Sequence, residues 1–449
     1  MDSKNYKEIA KARMTRSYSQ NPFIHSIFAA DPSAHVWGDR LYVYASRDID
    51  PAIRCDTMDY THVFSTDDMV NWRDEGEIWN SNRIPWGRSE GGFIWAPDCA
   101  YKNGTYYYYY PHPSGDDWNR TWKIGVAVSD RPASGFKDAG YIEGLGGFAM
   151  IDPCVFIDDD GRAYMYYGGG CKCEMGELNE DMVSLKGPML PLDTIYDFHE
   201  GPWVFKRNGV YYLIYADGTP WGANLMHYAT SEKPLGPWKY RGVFMQTVGC
   251  ETTHGSLVEF KGKWYMFYHR TDISQQDNLR SLCVDEVKFE DDGSIAMLVQ
   301  TKNGVPAVCE ASCPYSLDRL YLFSNNEQSE IKAVNGKLIS DERSEFEVVA
   351  SELCENSGVI EIPEFCAEID GRYTIGILYG SPGLSKCRVF VDGVDYSLIN
   401  LTKTGNLRNY TGFSCLTVDM NAGAHKLELR VESGVINAEA VVISSLDTK

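Results

Sequence analysis

Five segments of this chain can be laid over one another, and that repeat restricts the fold more than any other feature of the sequence. They are ADPSAHVWGDRLYVYAS from Ala30, WAPDCAYKNGTYYYYYP from Trp95, DPCVFIDDDGRAYMYYG from Asp152, EGPWVFKRNGVYYLIYA from Glu200 and THGSLVEFKGKWYMFYH from Thr253. Each opens on a small or polar cluster, continues as a short alternating apolar strand and turns at Gly38, Gly104, Gly161, Gly209 or Gly262. It returns as a second strand rich in tyrosine and other β-formers, so each segment reads as a β-hairpin. A second pattern follows most of them, as in FSTDDMVNWRDEG, AVSDRPASGFKDAG and ATSEKPLGPWKYRG: a strand, a polar turn, an aromatic residue and a glycine. Two hairpins per period make four strands, and a period of roughly 50 to 65 residues fits propeller blades better than helical solenoids. The expected fold is all-β, with a five-bladed β-propeller over residues 1–310.

Near residue 315, after GVPAVCEASCPY, the aromatic repeat stops. Ser316 to Lys337 reads as a weakly patterned connector. Alternating strands then resume in GRYTIGILYG, CRVFVDGVDYSLI, SCLTVDM, AHKLELRVES and INAEAVVIS, so residues 311–449 are expected to form a β-sandwich of jelly-roll type.

A formal net charge of −21 disfavours nucleic acid and anionic membrane as partners and leaves neutral ligands such as sugars unaffected. The 13 cysteines follow no repeating spacing, which reads as reduced thiols rather than a disulfide scaffold; the lone C-x-C pair Cys171/Cys173 lacks a second pair at zinc-like spacing. The N-terminal stretch is charged, without the apolar centre of a secretory signal. A cytoplasmic protein is expected, with a secreted or periplasmic one whose leader has been removed as the alternative. Nothing in the sequence fixes an oligomeric state.

The innermost strands of a propeller converge on its axis, so residues at their shared starting position meet at one mouth of the channel. In repeat order these are Asp31, Trp95 with Ala96, Asp152, Glu200 and His254. Singly, Asp-Pro is a common turn at a strand start. Three acids brought together would repel one another unless their meeting served chemistry. Hydrolysis of a glycosidic bond uses such a set: one carboxylic acid protonates the leaving oxygen, and a carboxylate on the opposite face activates water or attacks directly.

The motifs ADPSAHVWGDRLYVYAS, WAPDCAYKNGTYYYY, IDPCVFIDDDGRAYMYYG and HEGPWVFKRNGVYYLIYA resemble the successive blade motifs of glycoside hydrolase family 43, over roughly residues 21 to 305. The resemblance implies an inverting enzyme with Asp31 as general base, Glu200 as general acid and Asp152 as the group that tunes and orients the acid. It implies an arginine directed at sugar hydroxyls, here Arg280, and a histidine on the propeller axis beside a structural calcium or a water, here His254. No cofactor is expected for the chemistry itself. Trp95 is expected to wall the sugar, and His25 and His35, which flank Asp31, are candidates to line the pocket. The stretches Asn80 to Gly92 and Pro111 to Trp122, with Trp86, Trp118 and Trp122, are expected to close the site into a pocket, which favours exo action.

The substrate implied is an oligosaccharide or polysaccharide from which α-L-arabinofuranosyl or β-D-xylosyl residues are removed. Arabinan- or galactan-active members of the same fold are the alternative. A retaining enzyme of the invertase kind would carry Asn where this chain has Ala30. A non-catalytic carbohydrate-binding propeller would not need all three acids. The C-terminal third resembles family 6 carbohydrate-binding modules, with Tyr410 as the candidate for the binding aromatic.

Overall fold

The computed structural model describes residues 5–219, 223–250, 252–324 and 331–447. After one helix, α1 (Tyr6–Met14), the chain is built from strands. Blade 1 is β1 (Ala29–Trp37), β2 (Arg40–Arg47), β3 (Tyr60–Thr66) and β4 (Arg73–Asn80), and blade 2 is β5 (Asp98–Lys102), β6 (Thr105–Pro113), β7 (Trp122–Ser129) and β8 (Lys137–Tyr141). Blade 3 comprises β9 (Cys154–Ile157), β10 (Ala163–Gly169), β11 (Lys172–Glu177) and β12 (Leu190–Pro191). Blade 4 comprises β13 (Phe198–Arg207), β14 (Val210–Asp217), β15 (Met226–Ser231) and β16 (Lys239–Met245). Blade 5 has β17 (Gly255–Phe260), β18 (Lys263–Arg270) and β19 (Ser281–Val287). Every blade is an antiparallel meander whose first strand lies at the axis.

The glycines expected at the inner turns all have positive φ, and three follow a residue that is also left-handed: Asn103, Asn208 and Lys261. Two consecutive positive φ values make the tight turn whose twist matches the strands it joins. The ring is closed by the segment before β1. Phe23 donates its N–H to Leu282 O at 2.9 Å, and the Asn21 side chain bonds both the N–H and the carbonyl of Val284.

The tyrosines of the second strands have a structural purpose that extends from blade to blade. Tyr44 donates to Pro132 O (2.6 Å), Tyr109 to Met182 O (2.9 Å), Tyr166 to Pro234 O, and Tyr212 to Gly293 O (2.7 Å). In each case the ring fills the core of one blade and the hydroxyl pins the outer turn of the next. A phenol suits this position because it buries a large apolar face and still satisfies its polar tip.

The C-terminal unit is a sandwich of two antiparallel sheets. One contains β20 (Leu320–Phe323), β22 (Lys337–Ser340), β23 (Val348–Cys354), β25 (Gly371–Gly380), β28 (Gly412–Met420) and β30 (Val435–Ser445). The other contains β21 (Lys332–Val334), β24 (Val359–Ala367), β26 (Ser385–Val391), β27 (Val394–Leu401) and β29 (Gly423–Ser433). Two expectations are corrected. The stretch taken as a connector carries β20, paired with β30, and β21, paired with β24, while residues 325–330 within it lie outside the described residues. Helix α1, though part of 1–310, packs on the sandwich: Ala10 and Met14 join a cluster with Tyr315, Leu320, Phe346 and Ala440.

The two domains meet along β4 and β28. Thr417 donates its N–H to Asp74 Oδ2 (3.1 Å) and its hydroxyl to Asp74 O (2.8 Å), and Arg372 reaches Glu75 and Ala133 O.

Candidate active site

The first inner strand begins with a defect. Pairing of β1 with β2 slips between Ala30 and Ser33, and Asp31 sits in that bulge with φ of 53°. A bulge turns a side chain out of the regular alternation, and Asp tolerates the left-handed conformation better than most residues. Asp152 has the same φ of 53° at the start of the third inner strand. The pairing of β13 with β14 slips on either side of Glu200, and the next residue, Gly201, has φ of 67°. Two register defects and one left-handed residue, at the same end of three inner strands, bring three carboxyl groups into one pocket. It has a volume of about 320 Å³ and is lined by all three acids together with Trp95, Trp118, Trp122, His254 and Arg280, among others.

The acids are held differently. Asp31 accepts from Ser46 Oγ at 2.8 Å and from Arg280 Nη1 at 3.1 Å. Burial pushes its pKa up, but Arg280, His254, His269 and the Ser46 hydroxyl outweigh burial and hold it at about 2. Asp31 is therefore a carboxylate throughout the ordinary pH range. Asp152 accepts the N–H of Gly201 at 3.0 Å, which ties it to the backbone that carries Glu200. Burial first, then the charges of Glu200 and Asp31, push the Asp152 carboxyl well above the usual carboxylate range. Glu200 is the more accessible of that pair, with 17% of its side chain exposed against 4% for Asp152.

Several neighbours escaped the sequence reading. Asp48 is buried and clamps Arg280, accepting Nε at 3.0 Å, Nη2 at 2.9 Å and the backbone N–H at 2.7 Å. His269 is fully buried; its Nε2–H donates to Thr252 O at 2.9 Å, which leaves Nδ1 to accept the Asp31 backbone N–H at 3.1 Å. Burial, then Arg280, pushes the His269 pKa down to about 3, so the ring stays neutral and this tautomer persists. A signal for Ser46 and His269 was present, since both occupy the last position of their aligned repeat segments, where the second strand returns to the mouth.

Trp95, Trp118 and Trp122 form one aromatic wall, with ring centroids 4.9 Å (Trp95–Trp122) and 6.0 Å (Trp95–Trp118) apart. Trp95 is oriented by its Nε1–H, given to Cys55 O at 3.0 Å. Arg280 does line the pocket, but its donors go to Asp48, Asp31 and Thr252.

Other expected residues lie elsewhere. His35 is four residues further along β1, about 13 Å at the usual rise per residue, so it sits deeper in the channel. There it bonds Asp98 at 2.6 Å and stacks on Trp37. His25 is half-buried at the domain junction, bonded to Phe413 O at 2.9 Å, and loss of solvent around the ring drives its pKa down to about 3. Trp86 is packed within blade 2, stacked on Tyr110 with its Nε1–H directed at Asp138, and does not wall the pocket. In the sandwich, Tyr410 is buried with its hydroxyl on Asp341, so it offers no ring face to a sugar.

His254 is on the axis, with Nδ1 at 3.9 Å from both Asp31 Oδ1 and Asp152 Oδ2. Calcium takes six to eight oxygen ligands at about 2.3–2.6 Å. Among the described residues no group of three or more His, Cys, Asp or Glu is arranged to hold a metal, so the donor set does not fit a calcium caged by protein groups.

Residues 19–295 match the glycosyl hydrolases family 43. The chain belongs to that family. It is a glycoside hydrolase. Xylosidase/arabinosidase 43A of Humicola insolens is 34% identical over 334 residues, covering 61% of this chain and 98% of the relative. A solved family 43 β-xylosidase/α-arabinofuranosidase from a compost microbial metagenome, in complex with xylotriose and in a calcium-free form, is 33% identical. It superposes with a TM-score of 0.57 over 63% of this chain and 98% of its own. An arabinoxylan arabinofuranohydrolase from Bacillus subtilis, 23% identical with a TM-score of 0.56, covers 96% of this chain and 100% of its own, a likeness of fold that takes in the sandwich.

Proposed function

We propose that the enzyme removes terminal pentosyl residues, α-L-arabinofuranosyl or β-D-xylosyl, from plant-type oligosaccharides or polysaccharides by a single displacement with inversion. The observation that carries this reading is the contrast between neighbouring acids in one pocket: Arg280, against Asp31 at 3.1 Å, holds that carboxyl low, whereas burial and then Glu200 and Asp31 push the Asp152 carboxyl well above the usual range. Asp31, as general base, takes a proton from a water that attacks the anomeric carbon. Glu200, as general acid, gives its proton to the glycosidic oxygen as the bond to the leaving group breaks. Asp152 sustains the protonated state of the pair and, through the Gly201 N–H, fixes where Glu200 stands. After each turnover Asp31 returns its proton to solvent and Glu200 regains one.

Two relatives named above are a xylosidase/arabinosidase and a β-xylosidase/α-arabinofuranosidase, alike over 61% and 63% of this chain, and the family match runs over residues 19–295. The wall of Trp95, Trp118 and Trp122 suits the CH face of a sugar ring and closes one side of the site, in keeping with exo action. Hydrolysis of p-nitrophenyl α-L-arabinofuranoside and β-D-xyloside, followed by proton NMR, tests the proposal. The first product formed should have the anomeric configuration opposite to the substrate. A product of retained configuration would refute the single displacement.

A further inference from the structure

The junction of the two domains holds a second cavity, of about 230 Å³, between the end of β2 with the segment after it and the strands β26 and β27. Two buried polar groups face it. Asn400 is 2% exposed, lends its backbone N–H to Ser26 O and lines the cavity. Arg47 is 8% exposed, donates to Ser397 Oγ and lies 5.9 Å over the ring of Tyr60. Among the described residues it makes no ion pair. Glu77 and Asp74 act on the Arg47 charge from a distance, and the guanidinium, with its one bond to Ser397, keeps donors to spare for hydrogen-bonding groups that enter the cavity.

The remaining charges around the cavity are already engaged. Asp50 pairs with Lys386, Arg388 is shared between Glu432 and Asp395, and Asp48 is committed to Arg280. What the cavity offers a ligand is donors, an amide and two tyrosine rings: Tyr60, half-buried, and Tyr396, 40% exposed at the rim. That combination fits a neutral, hydroxyl-rich molecule with an apolar ring face. The cavity also backs onto the catalytic pocket. Between Asp48 and Tyr60, the residues Ile49, Asp50 and Tyr60 face the junction, while Cys55 and Met58 face the acids.

We infer that this cleft is a second glycan-binding site, taking an uncharged sugar segment of the same polymer whose terminal residue enters the catalytic pocket. The inference rests on the pentosidase reading above for the identity of that polymer. It gives the sandwich a part in substrate binding through β26 and β27 at the junction, with Tyr410 playing none.

The test compares intact wild-type enzyme with Tyr396→Ala, which alters an exposed ring, and Asn400→Leu, which keeps the volume and deletes the amide. kcat/KM is measured on an aryl pentoside and on arabinoxylan, with the thermal midpoint as a check on folding. The aryl pentoside should react within about twofold of wild type, whereas kcat/KM on arabinoxylan should fall about five- to tenfold in each variant, the loss expected for one stacking or hydrogen-bonding contact. Unchanged turnover of arabinoxylan, or an equal fall on both substrates, would overturn the inference. If wild type cleaves no aryl pentoside, the pentosidase reading fails by itself, and calorimetric titration with xylohexaose then decides: binding that is lost in both variants sustains the site, and absent or unaltered binding rejects it.

Discussion

Asp31 and Asp152 share a backbone conformation and differ in how firmly each holds a proton, and that difference comes from what surrounds each carboxyl. Arg280 lies against Asp31 and another carboxyl group lies near Asp152. Replacing Asp152 with Asn keeps the shape and the tie to Gly201 but removes the second ionisable carboxyl from the pair. In the wild type the last proton to leave the pair leaves two like charges side by side, whereas in the variant it leaves one, so the alkaline limb of the kcat/KM profile should move to lower pH. A pH–rate series on an aryl pentoside checks this, and an unmoved limb would mean that Asp152 does not tune the acid. His269 acts one step away, through the backbone of Asp31. His269→Ala leaves a buried N–H without an acceptor, at a cost of about 1–3 kcal/mol. If the loss falls on the placement of the base, kcat should drop about 10- to 100-fold with KM little changed. The three acids were legible in the sequence because they stand in register in the repeat. Asp48 was not, since it lies beyond the last aligned position of its segment and its partner Arg280 is 232 residues away.

The hairpins were legible as elements because alternation broken by a glycine turn is a local pattern. The bulges that aim the acids were not, because a one-residue slip in pairing leaves no mark on composition or period. Gly201 shows what such a slip requires. Its φ of 67° is one that an L side chain adopts with strain, and a Cβ there would stand 3.3 Å from the His254 ring. Gly201→Ala should therefore cost about 1–3 kcal/mol in denaturant unfolding and reduce kcat, because Glu200 is the preceding residue. The tyrosines that pin one blade to the next can be tested as a separate group. Tyr109→Phe or Tyr212→Phe keeps the ring and deletes one bond to a carbonyl, so stability should fall by about 0.5–1.5 kcal/mol with kcat unchanged. The abundance of tyrosine was visible in the sequence, but its partners were not, since each lies in the following blade.

At the scale of the whole molecule, the repeat foretold a ring of five blades, and the change of pattern near residue 315 foretold a second domain. How the two associate depends on contacts between distant segments, which no local pattern encodes. His25 and α1 belong to that junction, and one apolar cluster runs from Phe23 and Phe267 in the propeller to Ile375 and Leu416 in the sandwich. A shared core predicts that the domains unfold together, in a single calorimetric transition. Two well-separated transitions would show that the sandwich is merely tethered.

The proposed role of Glu200, proton donor to the leaving group, is best measured by the leaving-group dependence of Glu200→Ala. A nitrophenolate departs with little need of a proton, whereas a sugar hydroxyl cannot. The variant should keep a substantial part of wild-type kcat/KM on the p-nitrophenyl pentoside and lose about 10²–10⁴-fold on the corresponding disaccharide, the usual contribution of a positioned acid. Equal losses on the two substrates, or full activity on both, would contradict it.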